Sequence, residues 1–540
     1  MDRILTGKGM KSVDTYTIQQ VGIPSMVLME RAALSVSELI KNKIDKSQKI
    51  LCICGTGNNG ADAIAVARQL VCCDYKADVV IVGDDERCSE EFLLQKNIAA
   101  SCSVNFLETV ANVESDAYNY LCKALLEEYD VVVDGIFGIG LSRDIEGVIK
   151  DVILKINELK KHNKEKNNKH TVIAIDIPSG LNSNTGEVMG IAVNTDITVT
   201  FGAKKAGMYL YKGKDVCGEI ATADIGFPKH AYENALTEMQ SYNIIEKEDV
   251  RQHLSRKAHS NKGTYGKVLI VAGSSGMYGA AYLAAKAAFK VGAGLIKIIT
   301  HEKNRELIYS MLPEAMVDAY DNDNKISEDS LEKSVEWADS ILIGPGMGDS
   351  YVAKNLVSNI MKLTMKLEKY LVIDADGLNI IAKDISLKEY YHEKTIITPH
   401  IGEASRLMNL DIKQISRNIV KAADDYVRSN KINVILKDST SVILGIESFD
   451  DKCNNRAYVN ITGNAGMATA GSGDVLAGIV AGIVAGGLDG SLCKEDIVKA
   501  LAVAVYIHGE AGDMAASEKG QSSMLATDII DMIAKVLNTK

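Results

Sequence analysis

The chain has 540 residues and a formal net charge of −11, with 46% hydrophobic and 24% charged residues. This length predicts roughly two to four domains, and the composition is typical of globular proteins. The acidic balance argues against a nucleic-acid-binding surface, which would need clustered lysine and arginine.

The ten cysteines are sparse, and their spacing fits no zinc-binding pattern. Cys52 and Cys54 lie in an apolar run, and Cys72 and Cys73 are adjacent. Both pairs are predicted to be buried thiols that act as small hydrophobic side chains. The first residues, MDRILTGKGMKS, do not resemble a signal peptide. Together with the free thiols, this leads us to expect a cytoplasmic location.

The first half alternates apolar strands with helical patterns. Strands are predicted at 49–54, 78–82, 130–134, 171–176 and 197–201, with a helix over 61–72. Continuous apolar strands separated by helices indicate a parallel sheet that is covered on both faces.

Several of these strands are followed by polar residues. GTGNNGAD (55–62) resembles a dinucleotide fingerprint without the acidic residue that usually follows it. Asp134 lies in VVVDGIFGIGLSRD, and Asp176 and Ser179 lie in IAIDIPSG. Asn59, Asp134 and Ser179 carry oxygens of the kind that a monovalent cation prefers. The alternative is that Asp134 and Asp176 only cap helices.

Between Pro228 and Lys262 the sequence becomes polar and charged, which predicts a domain boundary near residues 235–255. The second half then starts a new α/β pattern. Strands are predicted at 267–272, 295–299, 340–343, 370–374, 395–398 and 434–437, with an alanine-rich helix over 280–291. The apolar run at 475–488 falls short of the ~20 residues that span a bilayer, so it predicts a buried helix and no membrane anchor.

Five segments at the ends of these strands carry unusual chemistry: KGTYG (262–266), GPGMG (344–348), DADGLN (374–379), TPHIGEASRL (398–407) and the GSGD turn (471–474). Ligands of open α/β sheets bind beyond the carboxyl ends of the strands, where these segments should lie. Lys437 would bring an ammonium close to nucleotide phosphates. Taken singly, GPGMG could be a tight turn, DADGLN a helix cap and Lys437 a surface charge.

The GSGD turn points to phosphate chemistry. Glycines let the backbone approach a ligand closely, and the unpaired N–H groups at a helix start favour a phosphate. Asp474 would stand beside that phosphate and could accept a proton from a hydroxyl. The pattern suits a small-molecule phosphoryl-transfer site; the alternative is a glycine-rich helix start in a packed core.

The second half carries KGTYGKVLIVAGSSGMYGAA, GPGMG, DADGLN, TPHIGEASRL, LKDSTSVI and GNAGMATAGSGDVLAG in this order. Over about residues 255–540 it resembles the ADP-dependent NAD(P)H-hydrate dehydratases, which belong to the ribokinase-like group. The resemblance implies that a nucleotide phosphorylates the C6 hydroxyl of the nicotinamide hydrate. Elimination of phosphate then regenerates NAD(P)H.

The resemblance also implies roles for residues of this half. Asp474 would be the base that activates the hydroxyl, while Gly471 and Gly473 stabilise the developing charge through backbone donors. ADP, with ATP as the alternative donor and Mg²⁺ as companion, would contact residues 464–473 and the cofactor-binding set Lys437, Asp438, Ser439, Thr440, Ser441, Gly471, Ser472 and Gly473. The hydrate would contact Ala280, Gly346 and residues 400–406, beginning with His400. One departure is Asp438, which stands where the family usually has glycine.

With DTYTIQQVGIPSMVLMERAA (14–33) added, the first half resembles the NAD(P)H-hydrate epimerases over about residues 1–230. That family interconverts the R and S forms of the hydrate and binds potassium. The resemblance implies K⁺ ligation by Asn59, Asp134 and Ser179, and it makes Asp176 the best candidate for the acid/base group. The hydrate would contact Asp176 together with Asn58, Asn59, Gly60, Ala61, Asp62, Gly138, Ile139, Gly140, Leu141, Ser142, Arg143 and Asp144. Ala61 departs from the usual glycine, and its methyl group is expected to crowd the phosphates.

The predicted fold class is therefore α/β in both halves. Residues 1–235 would form a Rossmann-like three-layer αβα epimerase domain, and residues 236–540 a ribokinase-like dehydratase domain. The partners would be NADH hydrate and NADPH hydrate, with no nucleic acid and no membrane, and the family leads us to expect a homo-oligomer. Two alternatives remain: a small-molecule kinase acting on a hydroxymethyl-pyrimidine or a sugar, and a first half that is a non-catalytic binding module.

Overall fold

The computed structural model describes residues 3–83, 88–166, 170–237, 239–254, 258–321, 326–446, 457–489, 491 and 496–538. The chain divides into two compact units, Arg3–Ser241 and Tyr242–Lys540. Both are built on sheets whose neighbouring strands are mostly parallel and are connected by helices. The α/β class predicted for both halves is confirmed.

Seven strands among the described residues of the first unit form one parallel sheet, in the order β4-β3-β2-β5-β6-β7-β8. A short strand, β1, precedes them. The strands of this unit are β1 (Arg3–Leu5), β2 (Lys49–Cys54), β3 (Lys76–Ile81), β4 (Asn105–Phe106), β5 (Val131–Gly135), β6 (Thr171–Ile175), β7 (Ile197–Phe201) and β8 (Glu219–Ala223).

Helices cover both faces of this sheet. Side chains of α2, α3 and α4 pack on one face, and those of α5 and α6 pack on the other. This is the three-layer arrangement expected from strands that are apolar on both sides. The helices are α1 (Gly7–Tyr16), α2 (Ser25–Lys43), α3 (Asn58–Val71), α4 (Glu90–Ser101), α5 (Asp116–Glu127), α6 (Gly147–Lys166), α7 (Gly213–Val216) and α8 (Lys229–Ala235).

The sheet of the second unit runs in the order β9-β18-β17-β16-β15-β14-β13-β10-β11-β12. Neighbours from β16 through β12 are parallel, whereas β17 is antiparallel to both β16 and β18. The strands are β9 (Ser241–Asn243), β10 (Lys267–Val271), β11 (Leu295–His301), β12 (Met316–Tyr320), β13 (Ser340–Ile343), β14 (Tyr370–Ile373), β15 (Thr395–Ile397), β16 (Asn433–Leu436), β17 (Val442–Leu444) and β18 (Tyr458–Val459).

Small side chains allow the helices of the second unit to approach one another closely. Residues of α10, α18, α19 and α20 pack into one core on the sheet. The helices are α9 (Lys247–Arg251), α10 (Tyr278–Lys290), α11 (Arg305–Met311), α12 (Glu328–Trp337), α13 (Tyr351–Lys366), α14 (Asp376–Lys383), α15 (Ile401–Met408), α16 (Ile412–Arg417), α17 (Ile419–Asn430), α18 (Ser472–Ala485), α19 (Ile497–Lys519) and α20 (Ala526–Asn538).

The predicted strands agree with the structure to within two residues at either end, but the short and edge strands were not predicted. The prediction for one cysteine pair is wrong. Cys52 and Cys54 are buried in β2 as predicted, whereas Cys72 is exposed and Cys73 is half-buried. The reason is that α3 ends at Val71, so the second pair lies in the turn that follows the helix.

The apolar run predicted as a buried helix lies largely in α18, whose residues from Val475 to Val484 are all buried. Within the part of the chain that the structure describes, no helix is both long and apolar enough to cross a bilayer.

Replacing Gly478 by alanine should destabilise the second unit. A Cβ at this position in α18 would overlap the carbonyl oxygen of Ala284 in α10, and backbone does not yield easily. We expect a loss of about 1–3 kcal/mol in the free energy of unfolding, the usual range for overpacking, measured by urea denaturation. The control is Gly279→Ala, where a Cβ meets nothing within 4 Å. Equal stability of Gly478→Ala and the wild-type chain would contradict the tight packing of α10 on α18.

Candidate active sites

The first unit contains a cavity of about 920 Å³ at the carboxyl ends of its central strands. Ten residues predicted to contact the hydrate line it: Asn58, Asn59, Asp62, Gly138, Ile139, Gly140, Leu141, Ser142, Arg143 and Asp176. The structure therefore brings the loop after β2, the loop after β5 and the residue after β6 to one site. Asn59 contributes a buried Nδ2 with no hydrogen-bond partner in the described structure, which leaves a donor for a ligand.

Three predicted contact residues, Gly60, Ala61 and Asp144, do not belong to this lining. Ala61 is fully buried and packs in the core between α3 and its neighbours. The expectation that its methyl group crowds a phosphate is therefore wrong: the side chain faces the packed interior of the unit. Position 60 requires glycine for close backbone packing, because a Cβ there would overlap the carbonyl oxygen of Gly55.

Asp176 is held by an ion pair that was not predicted from the sequence. The Lys205 ammonium, which is fully buried, donates to Asp176 Oδ1 at 2.5 Å. The Thr200 hydroxyl and the Phe201 N–H donate to the same oxygen, each at 3.2 Å. Asp176 itself has a positive φ of 63°, an unusual conformation for a non-glycine residue that often marks a functional site. It does not cap a helix.

Two further carboxyl groups, Asp14 and Asp62, line the same cavity. Burial raises the pKa of Asp62 well above its usual range, and the charges of Asp176 and Asp14 raise this pKa further. Burial and the charge of Asp176 also raise the pKa of Asp14. The cavity thus combines a carboxyl group held in an ion pair with a lysine and two carboxyl groups whose pKa is raised.

Asp134 and Ser179, two of the three predicted K⁺ ligands, are in direct contact. Both side chains are fully buried, and Ser179 donates to Asp134 through its hydroxyl at 2.6 Å and its N–H at 2.8 Å. Burial raises the pKa of Asp134 to about 6. Among the described residues its hydrogen-bond partners are Ser179 and the Ile136 N–H, none of them a cation. These buried oxygens are of the kind that could hold a cation.

Asn59, the third predicted ligand, lies at the start of α3, and its Oδ1 is directed towards the loop after β5. A Cβ on Gly138 would stand 3.2 Å from this oxygen. Because Gly138 has no side chain, the space beside the Asn59 amide stays open.

In the second unit, the GSGD turn forms the start of α18 as predicted. Gly471 is the N-cap residue, with φ of 88°, and it offers no side chain to cap the helix. A larger residue would be strained there, and its Cβ would lie 2.5 Å from Leu283 Cδ1. The first N–H groups of α18 are therefore left without a side-chain acceptor, which makes this helix end a suitable anion site.

Asp474, Asp374 and Lys437 meet at this helix start. The Lys437 ammonium donates to Asp374 Oδ1 at 2.7 Å, so it is ion-paired and not a surface charge. A Cβ on Gly473 would lie 3.6 Å from Lys437 Nζ and 4.0 Å from Asp374 Oδ2. Burial raises the pKa of Asp474 to about 6, with Asp374 raising it and Lys437 lowering it. A group with this pKa can accept a proton near neutral pH.

The segments predicted to contact the hydrate are connected to one another. A Cβ on Gly346 would lie 2.9 Å from the Ala280 methyl. Asp376 accepts the Gly348 N–H at 2.8 Å, and Asn379 accepts from Arg406 Nε at 3.1 Å. The structure thereby brings GPGMG, DADGLN and TPHIGEASRL together.

His400 caps α15, and its side chain is 56% exposed. It pairs with Lys437 through the backbone.

On the nucleotide side, Lys437 is followed by an exposed Asp438 and Ser439, a buried Thr440 and a half-buried Ser441. The acidic side chain of Asp438 therefore faces solvent.

Asn464 begins a short helix and donates to Asp513 at 2.9 Å. Ser472 lies 3.3 Å from the Nε2 atom of His508.

Lys205 and His508 carry no motif in the sequence, and only the fold reveals them. Burial lowers the pKa of His508 to about 4, so this ring is neutral beneath the start of α18. Lys205 follows β7 in FGAKKAG, where a lysine after a strand end was the one available signal.

Two family models match the chain. One, described as YjeF-related protein N-terminus, covers residues 25–207, and the other, described as NAD(P)H-hydrate dehydratase, covers residues 268–535. The bifunctional NAD(P)H-hydrate repair enzyme Nnr of Thermofilum pendens is 32% identical over 538 residues, which are 98% of this chain and 94% of that protein. The chain belongs to the family of bifunctional NAD(P)H-hydrate repair enzymes. The resemblance found in the sequence is confirmed.

A second relative agrees with this membership. Nnr of Moorella thermoacetica is 33% identical over 99% of this chain and 96% of its own length. Among solved structures, a ribokinase-like superfamily protein of Enterococcus faecalis has 28% identity and a TM-score of 0.47, covering 55% of this chain and 95% of its own. The ADP/ATP-dependent NAD(P)H-hydrate dehydratase of Bacillus subtilis has 27% identity and a TM-score of 0.45, and the match covers 55% of this chain and 97% of that protein.

Lys205→Met should destabilise the first unit strongly, because it leaves Asp176 as an unpaired charge in a largely buried position. Removing one partner of a buried pair typically costs about 3–5 kcal/mol in the free energy of unfolding. Urea denaturation measures this loss. The double variant Lys205→Met/Asp176→Asn should recover part of it, since no unpaired charge remains. Additive losses in the double variant would show that the two groups do not form a coupled pair.

Proposed function

We propose that this chain repairs hydrated nicotinamide cofactors. Residues 1–235 form the domain that interconverts the R and S epimers of NADH hydrate and NADPH hydrate, and residues 236–540 form the domain that dehydrates the S epimer with ADP as phosphate donor. Family membership over the whole chain supports this function. The observation that carries it is the position of Asp474, with its raised pKa, at an uncapped helix start beside Lys437.

In the dehydratase domain, Asp474 acts as the base. Its carboxylate would take the proton of the C6 hydroxyl as the hydroxyl oxygen forms a bond to the terminal phosphorus of ADP, while the bond from that phosphorus to the bridging oxygen breaks and AMP leaves. When bound, the nucleotide supplies the transferred phosphoryl group. The N–H groups at the start of α18 and the Lys437 ammonium stabilise the negative charge that develops. Phosphate then leaves with the C6–O electron pair, water or the departing phosphate takes a proton from the adjacent ring carbon, and the electrons of that C–H bond restore the double bond of NAD(P)H.

The proposed nucleotide site comprises Lys437, Asp438, Ser439, Thr440, Ser441, Gly471, Ser472 and Gly473. Among the described residues, no three His, Cys, Asp or Glu side chains are grouped so that they could hold a metal ion. We therefore assign Mg²⁺ to the nucleotide phosphates and water, the ligands that it commonly keeps. The hydrate would contact Ala280, Gly346 and His400.

In the epimerase domain, Asp176 is the proposed acid/base group. Lys205, Thr200 and the Phe201 N–H hold its Oδ1, so Oδ2 is the atom available to a ligand in the cavity. Asn59, Asp134 and Ser179 are the proposed K⁺ ligands, and the buried negative charge of Asp134 supports this role. A dehydratase selective for one epimer would leave the other unrepaired, so the two domains complement each other.

The decisive experiment follows absorbance at 340 nm in a mixture of R and S NADH hydrates, with the full chain, K⁺, Mg²⁺ and either ADP or ATP. Recovery of the whole mixture is expected, and the better nucleotide identifies the donor. Recovery of the S fraction alone, beyond spontaneous epimerisation, would make the first unit a binding module. A phosphorylated product that accumulates without NADH would indicate a small-molecule kinase.

Asp474→Asn should lower the dehydration rate ~10²–10⁴-fold, the usual effect of removing an acid/base group, while ADP binding persists. Because the base works only when ionised, and its pKa is about 6, wild-type kcat/KM should fall as the pH drops below about 6. Lys437→Met removes a charge that lowers this pKa, so the same limb should move to higher pH. Steady-state kinetics from pH 5 to 8 provide the measurement.

Asp531→Asn, which alters a 58% exposed carboxylate on α20, is the matched control for this series and should behave as the wild-type chain. An unchanged rate in Asp474→Asn would exclude Asp474 as the base.

Asp176→Asn should abolish enzymatic conversion of R to S hydrate while S hydrate is still consumed with ADP. The amide keeps the shape of the side chain but cannot accept a proton in the reaction. Chiral chromatography of the hydrates measures conversion, with Asp116→Asn on the exposed start of α5 as control. Loss of both activities in Asp176→Asn would instead indicate a folding defect.

A further inference from the structure

Two of the four carboxyl groups that line the cavity of the first unit, Asp176 and Asp62, lie in unlike settings. Asp176 accepts three hydrogen bonds on Oδ1, one of them from the buried Lys205 ammonium. All three are donors, so this oxygen acts as an acceptor and carries no proton. Oδ1 of Asp176 is thus held in an ion pair with the Lys205 ammonium, whereas its second oxygen, Oδ2, makes no hydrogen bond with another described residue.

Asp62 lies in α3, in a different wall of the same cavity. Its carboxyl group makes no hydrogen bond with any other described residue, so neither a lysine nor a backbone donor favours its ionised form. Burial, followed by the charges of Asp176 and Asp14, raises its pKa well above the usual range. The charged groups that line the cavity around it are Lys11, Asp14, Glu91, Arg143, Asp176 and Lys205.

We propose that Asp62 is a second catalytic group of the epimerase, which gives a proton to the hydroxyl leaving C6 while Asp176 accepts a proton from the water that adds to the other face. This inference rests on the proposed epimerase function. It assigns the acid and the base to two separate residues, where the sequence pointed only to Asp176 as acid/base group and to Asp62 as a contact.

The step balances without any oxidant or reductant. The C6–O bond breaks, the oxygen leaves with the electron pair and the Asp62 proton as water, and the lone pair of the ring nitrogen forms a double bond to C6. Water then adds to the opposite face of C6, the nitrogen recovers its lone pair, and Asp176 Oδ2 takes the proton. The product is the other epimer, and water is regenerated for each one consumed.

Lys205 acts in this scheme as a positioning residue. It holds Asp176 by Oδ1 and keeps it an anion beside a protonated Asp62, so that the two carboxyl groups begin the R to S reaction in opposite protonation states. After one conversion the proton has moved from Asp62 to Asp176, and the reverse reaction starts from this second arrangement. The pair must exchange its proton through solvent or cavity water before the same direction is repeated.

The test uses the full chain with R hydrate, K⁺ and no nucleotide, so that dehydration does not remove the S product. Chiral chromatography gives the R to S rate after subtraction of the spontaneous rate, from pH 5 to 9. We expect Asp62→Asn to lower kcat ~10²–10⁴-fold at every pH, with little change in KM. Wild-type activity should decline at alkaline pH as Asp62 loses its proton. Asp62→Glu should retain measurable conversion with a shifted alkaline limb.

Two controls separate this inference from other failures. Consumption of S hydrate with ADP, measured for each variant, reports whether the chain is folded, and Asp116→Asn tests an exposed carboxylate outside the cavity. A wild-type chain that does not convert R hydrate would overturn the proposed epimerase function itself. A converting wild-type chain with an equally active Asp62→Asn variant, or a variant that changes KM alone, would overturn the role of Asp62 and leave the epimerase in place.

Discussion

Parallel strands that are buried on both faces leave almost no place for polar side chains except at their ends. In the first unit, the residues between β2 and α3, the end of β5 and the residue after β6 follow three adjacent strands. In the second unit, Asp374 and Lys437 follow β14 and β16, with the segment after β15 between them. Each cluster of charged groups therefore depends on the same constraint: an interior too apolar to hold them, and a strand order that brings the strand ends together.

Burial then gives chemically identical groups different properties. Asp176 is held by a lysine and two further donors, whereas Asp62 has no such partner, and burial raises the pKa of Asp62 well above its usual range. In the second unit, burial raises the pKa of Asp474, while the charge of Lys437 lowers it. The acid and base roles of these carboxyl groups cannot be assigned from residue type, because their surroundings set the protonation state.

Much of this organisation was predictable from the sequence. The central strands are apolar runs followed by glycine or aspartate. The GSGD turn before a run of small apolar residues predicts a helix that begins at this turn. Lys205 was not predictable, because its contact with Asp176 depends on how β6 and β7 pair, and no motif surrounds it. Strands such as β12 and β18 were missed because a short or half-exposed strand lacks a continuous apolar pattern. Cys72 was misjudged because the end of α3 determines its exposure.

The ion pair between Lys437 and Asp374 has a consequence for anion selectivity. The ammonium at the start of α18 is already neutralised by a carboxylate of the chain, so a small free anion gains little by approaching it. An extended polyphosphate can compensate for this competition with contacts elsewhere along its length, and a single inorganic phosphate cannot. If phosphate leaves from this site as proposed, Asp374 would remain beside the ammonium and compete with it, as an internal counter-ion that limits blockage of the site by its product.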